Sequence, residues 1–134
     1  MSGNLGLVRS LFADWERGIF FAHAEWAHPE IECVVVDGPT PGSGTGVGST
    51  ATVWREVIAP YQEFRATPEE YREIDKHSVL VLVRFSGRGK TSSLDIEQLL
   101  SKNACVLDID DGRVKKLVMY WDRDRALADL GLEK

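Results

Sequence analysis

The chain has 134 residues, of which 43% are hydrophobic, and its formal net charge at pH 7 is −5. A chain of this length is expected to form a single domain over residues 1–134, with a core large enough to need no metal or disulfide for stability. The acidic balance and the scattered positions of the sixteen Lys and Arg residues argue against a nucleic-acid-binding surface and against binding to an anionic membrane.

The composition also predicts a cytoplasmic protein with reduced cysteines. The longest aliphatic run, VLVLV at positions 79–83, is far too short to span a bilayer, and the first residues lack the basic and apolar regions of a secretory signal. Cys33 and Cys105 are isolated and form no C-x-x-C motif, so free thiols are expected.

The first third of the chain is predicted to be helical. Apolar residues recur there at i, i+3, i+4 and i+7, the spacing of one helix face: Val8, Leu11, Phe12 and Trp15. Gly18 is well placed to end this helix. A second short helix is expected over about 19–26 and should stop before Pro29, because the residue ahead of a proline disfavours the helical region. A strand is predicted at 31–36.

A glycine-rich stretch, GPTPGSGTGVGS, follows at positions 38–49. Its glycines do not have the G-x-G-x-x-G spacing of a dinucleotide site, and it lacks the Gly-Lys-Ser/Thr ending of a P-loop. We therefore expect an exposed, mobile loop in which Ser49 or Thr50 caps a third helix. That helix should end near Pro60, with an apolar stripe formed by Val53, Trp54, Val57, Ile58 and Tyr61.

The second half changes to a period of two, which is typical of strands. Strands are predicted at 77–85, with a turn at 86–90, then at about 94–109, and at 113–121 after a turn at 110–112. A short helix follows, with Asp122 or Asp124 as N-cap and Gly131 past its end. Alternation directs one set of side chains inward: Val79, Val81, Val83, Leu107, Met119 and Trp121. Helices followed by an antiparallel sheet predict an α+β fold.

Four segments in this order resemble the SnoaL-like branch of the nuclear-transport-factor-2-like superfamily. They are LVRSLFADWERG, WAHPEIE, the glycine-rich stretch leading into VWREVIAPY, and DDGRVKKLVMYWDRDRALADLGL. The resemblance implies a cone, in which a strongly curved antiparallel sheet wraps around the N-terminal helices and leaves a pocket open at one end. It also implies that the glycine-rich stretch is a flap at the pocket mouth.

Two catalytic residue sets of this superfamily are missing from the chain. Where ketosteroid isomerases need a tyrosine, a base aspartate and an acidic partner, the matching positions hold Leu11, then Val34 or Val35, then Ala104 or Cys105. Asp37 is reached only by a slip in register, and it would lack oxyanion donors. Where limonene-type epoxide hydrolases need Arg-x-Asp and a second aspartate, the matching positions hold Val79, Val81 and Met119. These side chains cannot transfer a proton.

The acid/base aspartate of SnoaL-type polyketide cyclases does have a match, at Asp122. A single carboxylate at a pocket mouth could relay a proton during an aldol closure. The same residue stands where an N-cap of the last helix is expected, and aspartate is favoured there because it accepts backbone N–H bonds. Catalysis and capping are both open interpretations of Asp122.

No metal or other cofactor is expected. His23, His28 and Glu32 are the only cluster with the chemistry of metal ligands, but the two histidines are not at the i, i+4 spacing of a helical pair, and Pro29 intervenes. His28 is expected to help the turn, and Glu32 to be either exposed or at the rim of the pocket.

The leading interpretation is a protein that binds a small hydrophobic or aromatic molecule in an apolar pocket. The residues expected to line it are Trp15, Glu32, Trp54, Val79, Val81, Asn103, Cys105, Leu107, Met119 and Trp121. The alternatives are a polyketide-cyclase-like or isomerase-like enzyme that uses Asp122, and an interaction module whose pocket is filled by its own side chains. Outward-facing Val106, Val118 and Tyr120 predict burial against a second copy, so a homodimer is expected.

Overall fold

The computed structural model describes residues 3–17, 24–37, 41–59, 61–89 and 102–132. The elements in chain order are α1 (Gly3–Glu16), a 3₁₀ turn (Ala24–Trp26), β1 (Ala27–Val35), β2 (Gly42–Thr45), α2 (Val47–Ile58), β3 (Tyr61–Glu73), β4 (Ser78–Gly89), β5 (Asn103–Asp110), β6 (Arg113–Tyr120) and α3 (Arg123–Asp129). This α+β arrangement confirms the predicted fold class. None of the helices in these ranges is long and apolar enough to cross a membrane.

The six described strands form one curved, unclosed sheet in the order β2-β1-β6-β5-β4-β3. β1 runs parallel to β6, with Val35 opposite Met119, and the remaining neighbours in this order are antiparallel. The ends of β1 and β6 therefore meet at one end of the sheet, near the start of β5. Three polar residues, Asp37 after β1, Asn103 at the start of β5 and Asp122 after β6, lie at that end.

The two faces of the sheet carry two separate hydrophobic clusters. On the inner face, α1 and α2 pack against the strands, and the four predicted apolar residues of α1 are all buried. On the outer face, α3 contributes Ala126 and Leu127 to a smaller cluster with Leu80, Leu82 and Val106. Alternation along β4 and β5 divides the side chains between these faces, as predicted.

The glycine-rich stretch is more ordered than predicted. Gly42–Thr45 form the edge strand β2, which pairs with β1, and α2 begins at Val47. The expected cap at Ser49 or Thr50 is wrong, since Gly46 occupies the N-cap at φ 91° without a side-chain bond. A Cβ at Gly44 would lie 3.0 Å from the Ser49 Cβ, so glycine allows the first turn of α2 to pack on β2. Residues 38–40 lie outside the described residues.

Several predicted boundaries are also wrong. β3 is not among the predicted strands. Its first residue, Tyr61, is predicted as part of the apolar stripe of the third helix, but α2 ends at Ile58. β4 continues to Gly89, so positions 86–89 are strand rather than turn. β1 begins at Ala27 and includes Pro29. Of the second helix, the described part is only the 3₁₀ turn Ala24–Trp26. Gly18, residues 19–23 and the first half of the strand predicted at about 94–109 lie outside the described ranges.

The C-terminal third matches its predictions closely. Asp111 and Gly112 adopt φ of 57° and 76° between β5 and β6, the left-handed pair that a two-residue hairpin turn requires. α3 is capped by Asp122, and Gly131 beyond its end has φ 71°. These turn and cap residues fix where the last two strands and α3 begin and end.

Candidate functional site

The inner face of the sheet brings together nine of the ten residues predicted to line a pocket. Each of the nine is at most 6% exposed, and the eight apolar ones belong to a single core cluster: Trp15, Trp54, Val79, Val81, Cys105, Leu107, Met119 and Trp121. The ninth, Asn103, is fully buried. Glu32 is exposed on the other side of β1, so it does not join them.

Five aromatic rings form a continuous chain through this core, which we call the inner ring cluster: Trp15, Trp54, Phe64, Phe85 and Trp121. Ring centroids are 4.8 Å apart for Trp15 and Trp54, 5.3 Å for Phe64 and Phe85, and 5.0 Å for Phe85 and Trp121. The Trp54 ring meets Phe85 edge-on at 6.4 Å. Tilted and edge-to-face pairs of this kind stabilise the fold beyond their buried area.

Two members of the inner ring cluster were missed from the sequence. Phe85 follows Val79, Val81 and Val83 at the same parity, so alternation along β4 would have identified it. Phe64 lies on β3, whose polar sequence hides its strand character. Its neighbourhood is irregular, because the pairing of β3 with β4 shifts register between Gln62 and Arg65.

The eight apolar lining residues therefore pack together in one core cluster. Two clefts in the described part of the chain lie outside the inner ring cluster. One runs between β2 and α2 beside Gly44 and Ser49, and another lies on the outer face beside Leu82 and Leu127. Within the cluster, Phe64 is 4% and Trp121 6% exposed, whereas Trp15 is fully buried. The Phe64–Trp121 end is thus the end nearest to solvent.

Asn103 links three strands at this end. Its Oδ1 accepts a bond of 2.9 Å from the Phe85 N–H, and its Nδ2 donates a bond of 2.8 Å to the Trp121 carbonyl. Phe85 lies on β4, and Trp121 directly follows β6, so both partners belong to the neighbours of β5. The amide is therefore a buried cross-link that holds the backbone behind two rings of the cluster.

Asp37 holds the same backbone from the other side. Its Oδ1 accepts a bond of 2.6 Å from the Trp121 N–H. Its second oxygen, Oδ2, is buried and has no hydrogen-bond partner among the described residues. The sequence relates Asp37 to a catalytic position only through a slip in register, because a strand pattern carries no sign of which backbone N–H a side chain will reach.

Asp122 acts as a helix cap in this structure. It is exposed, and its Oδ1 accepts a bond of 3.0 Å from the Asp124 N–H at the start of α3. The next residue, Arg123, anchors the same turn: its guanidinium bonds the carbonyls of Val83 and Asn103 and pairs with Glu69 at 2.6 Å. The capping interpretation of Asp122 is confirmed, and its role as an acid or base stays a prediction.

Within the described residues, the cysteines and the candidate metal ligands form neither a reactive thiolate nor a metal-binding group. Both cysteines are free and buried. Burial raises the pKa of Cys33 to about 11, and burial together with Cys33 raises the pKa of Cys105 further, so neither is a thiolate near neutral pH. The His28 Nδ1 accepts a bond from the Glu30 N–H, but both residues lie in β1 rather than in the predicted turn. His23 lies outside the described residues, within which no three potential metal ligands lie together.

The outer face is covered by its own helix. Leu80 is fully buried, and Leu82, Val106 and Tyr120 are at most 7% exposed, because α3 packs over them. The Tyr120 hydroxyl donates a bond of 3.1 Å to Asp129 at the end of α3. Burial and this carboxylate raise the pKa of Tyr120 to about 12. Much of the outward apolar surface predicted to face a second copy is thus covered within one chain.

No protein-family model and no curated protein sequence matches the chain, but solved structures resemble it closely in fold. A nuclear-transport-factor-2-like protein of unknown function from Burkholderia pseudomallei superposes with a TM-score of 0.75 at 20% identity, covering 96% of this chain and 97% of that one. TerC, crystallised with polyporic acid, gives a TM-score of 0.69 at 20% identity over 96% and 98% of the two chains.

A candidate polyketide cyclase from Sinorhizobium meliloti gives a TM-score of 0.62 at 23% identity, covering 85% of this chain and 93% of that one. At such identities the likeness establishes fold and not activity. The element order, the curved sheet and these superpositions agree with the sequence resemblance. The chain has the nuclear-transport-factor-2-like fold.

Proposed function

We propose that the protein binds a small hydrophobic or aromatic molecule on the inner face of its sheet, at the Phe64–Trp121 end of the inner ring cluster. The observation that carries the proposal is the cluster itself. Aromatic side chains line one concave face from α1 to the end of β6, with ring centroids 4.8 to 6.4 Å apart. An aromatic guest would keep the same kind of ring contacts when it separates two of these rings.

The edge of the sheet offers a way in. Phe64 lies on β3, the edge strand, within the register shift between Gln62 and Arg65 in the pairing with β4. Such irregularities weaken the ladder locally and are frequent beside binding sites. A small displacement of Phe64 from Phe85 would open the cluster without disturbing the central strands.

Two structural neighbours support this choice of ligand class. TerC was crystallised with polyporic acid, and another neighbour is a candidate polyketide cyclase. Both concern small organic molecules in the same fold. They favour a small-molecule function over a module whose interior serves only packing.

The test combines identification of any co-purified molecule with thermal unfolding. Mass spectrometry of the denatured protein should reveal an aromatic or apolar compound, and bicyclic aromatics should raise Tm by several degrees at saturating concentration, since only ligands of the native state do so. ATP serves as the control compound and should cause no shift. Failure of every apolar compound to bind, together with a ligand-free purified protein, contradicts the proposal.

A variant pair locates the site. Phe64→Leu alters the inner ring cluster, and Leu127→Met changes the outer face by a swap of similar size, which cores tolerate. We expect the first to weaken binding at least several-fold and the second to leave it unchanged. Equal effects would place the ligand elsewhere.

The alternative is a cyclase-like or isomerase-like enzyme of the SnoaL-like branch with Asp122 as acid or base. Its support is the sequence match and the candidate cyclase among the neighbours. The exposed position of Asp122 and its bond to Asp124 fit a cap equally well. Binding is therefore the function that the inner face supports best.

A further inference from the structure

Only one of the two carboxylate oxygens of Asp37 has a hydrogen-bond partner among the described residues. Its Oδ1 takes the Trp121 N–H at 2.6 Å, while Oδ2 is buried and has no partner among the described residues. None of the ion pairs in the described ranges involves Asp37. A buried carboxylate oxygen without a donor is costly, and such groups in native structures call for an explanation such as a bound molecule.

Holding the Trp121 backbone does not explain the residue type. One neutral oxygen is enough to accept one backbone N–H, as the Asn103 Oδ1 does for the Phe85 N–H. The carboxylate adds a second acceptor and a negative charge, which the observed contacts leave unused. Its chemistry therefore suits a donor that comes from outside the described chain.

The position of Asp37 relates this acceptor to the inner ring cluster. Asp37 lies two residues past Val35, the last residue of β1, where its Oδ1 reaches the backbone of Trp121 just past the end of β6. Its bonded neighbour Trp121 carries the ring that contacts Phe85 at 5.0 Å. An acceptor thus stands beside the most accessible end of the rings.

We propose that Asp37 makes the site selective for aromatic molecules that carry a hydrogen-bond donor, such as a phenol hydroxyl. This inference rests on the proposed function, because the rings bind the aromatic body. The Oδ2 of Asp37 accepts the donor hydrogen while Oδ1 keeps the Trp121 N–H. An ether or a plain hydrocarbon of the same shape would leave Oδ2 without a partner.

The experiment compares 2-naphthol with 2-methoxynaphthalene by calorimetric titration of the full chain. The two have the same ring system, but only 2-naphthol can donate a hydrogen bond. We expect the wild type to bind 2-naphthol roughly ten- to a hundredfold more tightly, the range typical of a buried hydrogen bond to a charged group. This comparison needs no variant, so it stands even if substitutions at Asp37 disturb folding.

Asp37→Asn sharpens the test. The amide oxygen can keep the Trp121 N–H, but the second group becomes an N–H₂ donor, so the preference for 2-naphthol should fall to about onefold or reverse. Asp111→Asn removes the same charge from the exposed β5–β6 turn, where asparagine tolerates the left-handed conformation, and should keep the wild-type ratio.

The outcomes separate the two proposals. Equal affinity of the wild type for both compounds overturns the role of Asp37 and leaves aromatic binding intact. Binding of neither compound overturns the aromatic site as well. A preference for 2-naphthol that survives in a folded Asp37→Asn protein shows that another group selects the donor, which also overturns the inference.

Discussion

The inner and outer faces of the sheet are both apolar, yet they are built differently. The inner face carries large aromatic rings held by α1 and α2, and the buried amide of Asn103 links the strands at one end. The outer face carries mainly aliphatic side chains beneath α3, and its buried tyrosine bonds Asp129. Next to Trp121 at the end of the inner face, the Asp37 Oδ2 has no hydrogen-bond partner among the described residues. On the outer face, the buried Tyr120 hydroxyl has Asp129 as its partner.

This contrast indicates where function lies. Covering aliphatic residues with a short amphipathic helix is sufficient to explain the outer face as packing. The inner face carries the five packed rings of the inner ring cluster, and next to the Trp121 backbone the Asp37 Oδ2 is an acceptor without a donor among the described residues. Ligand binding is therefore expected inside, and assembly is expected on what α3 leaves uncovered outside.

The largest expected effect is the loss of an inner ring. Trp54→Ala should lower the free energy of unfolding by about 3–5 kcal/mol, because it removes a fully packed ring at the centre of the cluster. Leu127→Ala on α3 should cost about 2 kcal/mol, the low end for a buried leucine. Urea denaturation of both variants compares the faces. A greater cost at Leu127 would contradict the view that the inner face dominates stability.

The next effect concerns the buried cross-link. Asn103→Ala should cost about 3 kcal/mol, since the Phe85 N–H and the Trp121 carbonyl each lose a buried partner. The loss in free energy of unfolding, measured by chemical denaturation, should exceed that caused by Ala104→Gly on the same strand, a substitution that leaves no buried polar group without a partner. A cost below about 1 kcal/mol would show that water or other groups replace the amide.

A third prediction concerns the uncovered part of the outer face. Val118, on β6, is only partly buried against the outer cluster, and we propose that it and its neighbours contact a second copy. Sedimentation should give twice the mass of one chain, and Val118→Glu should shift the protein to monomer. Lys115→Glu, on the same strand, is the control and should remain dimeric. A monomeric wild type at high micromolar concentration contradicts this.

Asp122 is expected to give a smaller effect. Asp122→Ala should cost about 1 kcal/mol through loss of the cap, whereas Asp122→Asn should cost only a few tenths. Neither change should alter aromatic binding. If Asp122 instead relays a proton, the folded Asn variant would lose turnover of a true substrate by orders of magnitude, because an amide cannot exchange that proton.

The smallest effect is a dependence on alkaline pH. Tyr120 has its pKa raised from 10.0 to about 12, so its contribution to stability is complete below pH 10 and is lost as the pH rises toward 12. Cys33, raised from 9.0 to about 11, acts in the same direction. The free energy of unfolding should therefore fall more steeply above pH 10 in the wild type than in Tyr120→Phe. Identical slopes would contradict the raised pKa of Tyr120.

The inner side of β4–β6 could be predicted because alternation holds along most of these central strands, apart from the register shift between Asp108 and Ile109. β3 could not, because its sequence YQEFRATPEEYRE is that of an edge strand, where charged residues, Pro68 and register shifts protect the edge and erase the alternating pattern. β2 was hidden by glycines, which are rare in strands.

Like the fold, the candidate site could be predicted from the sequence only in part. Trp15, Trp54 and Trp121 follow from helix and strand periodicity, and the structure brings them into one cluster. Asp37 does not follow from periodicity, since its significance depends on a bond to Trp121, 84 residues away along the chain. Long-range hydrogen bonds of this kind leave no local pattern in a sequence.

The most direct test of aromatic binding on the inner face is a crystal structure of the protein grown with 2-naphthol. Binding at the proposed site predicts density for the two fused rings against Phe64, Phe85 and Trp121, with the hydroxyl within hydrogen-bond distance of the Asp37 Oδ2. Density only on the outer face, or an inner ring cluster unchanged at saturating ligand, would contradict it.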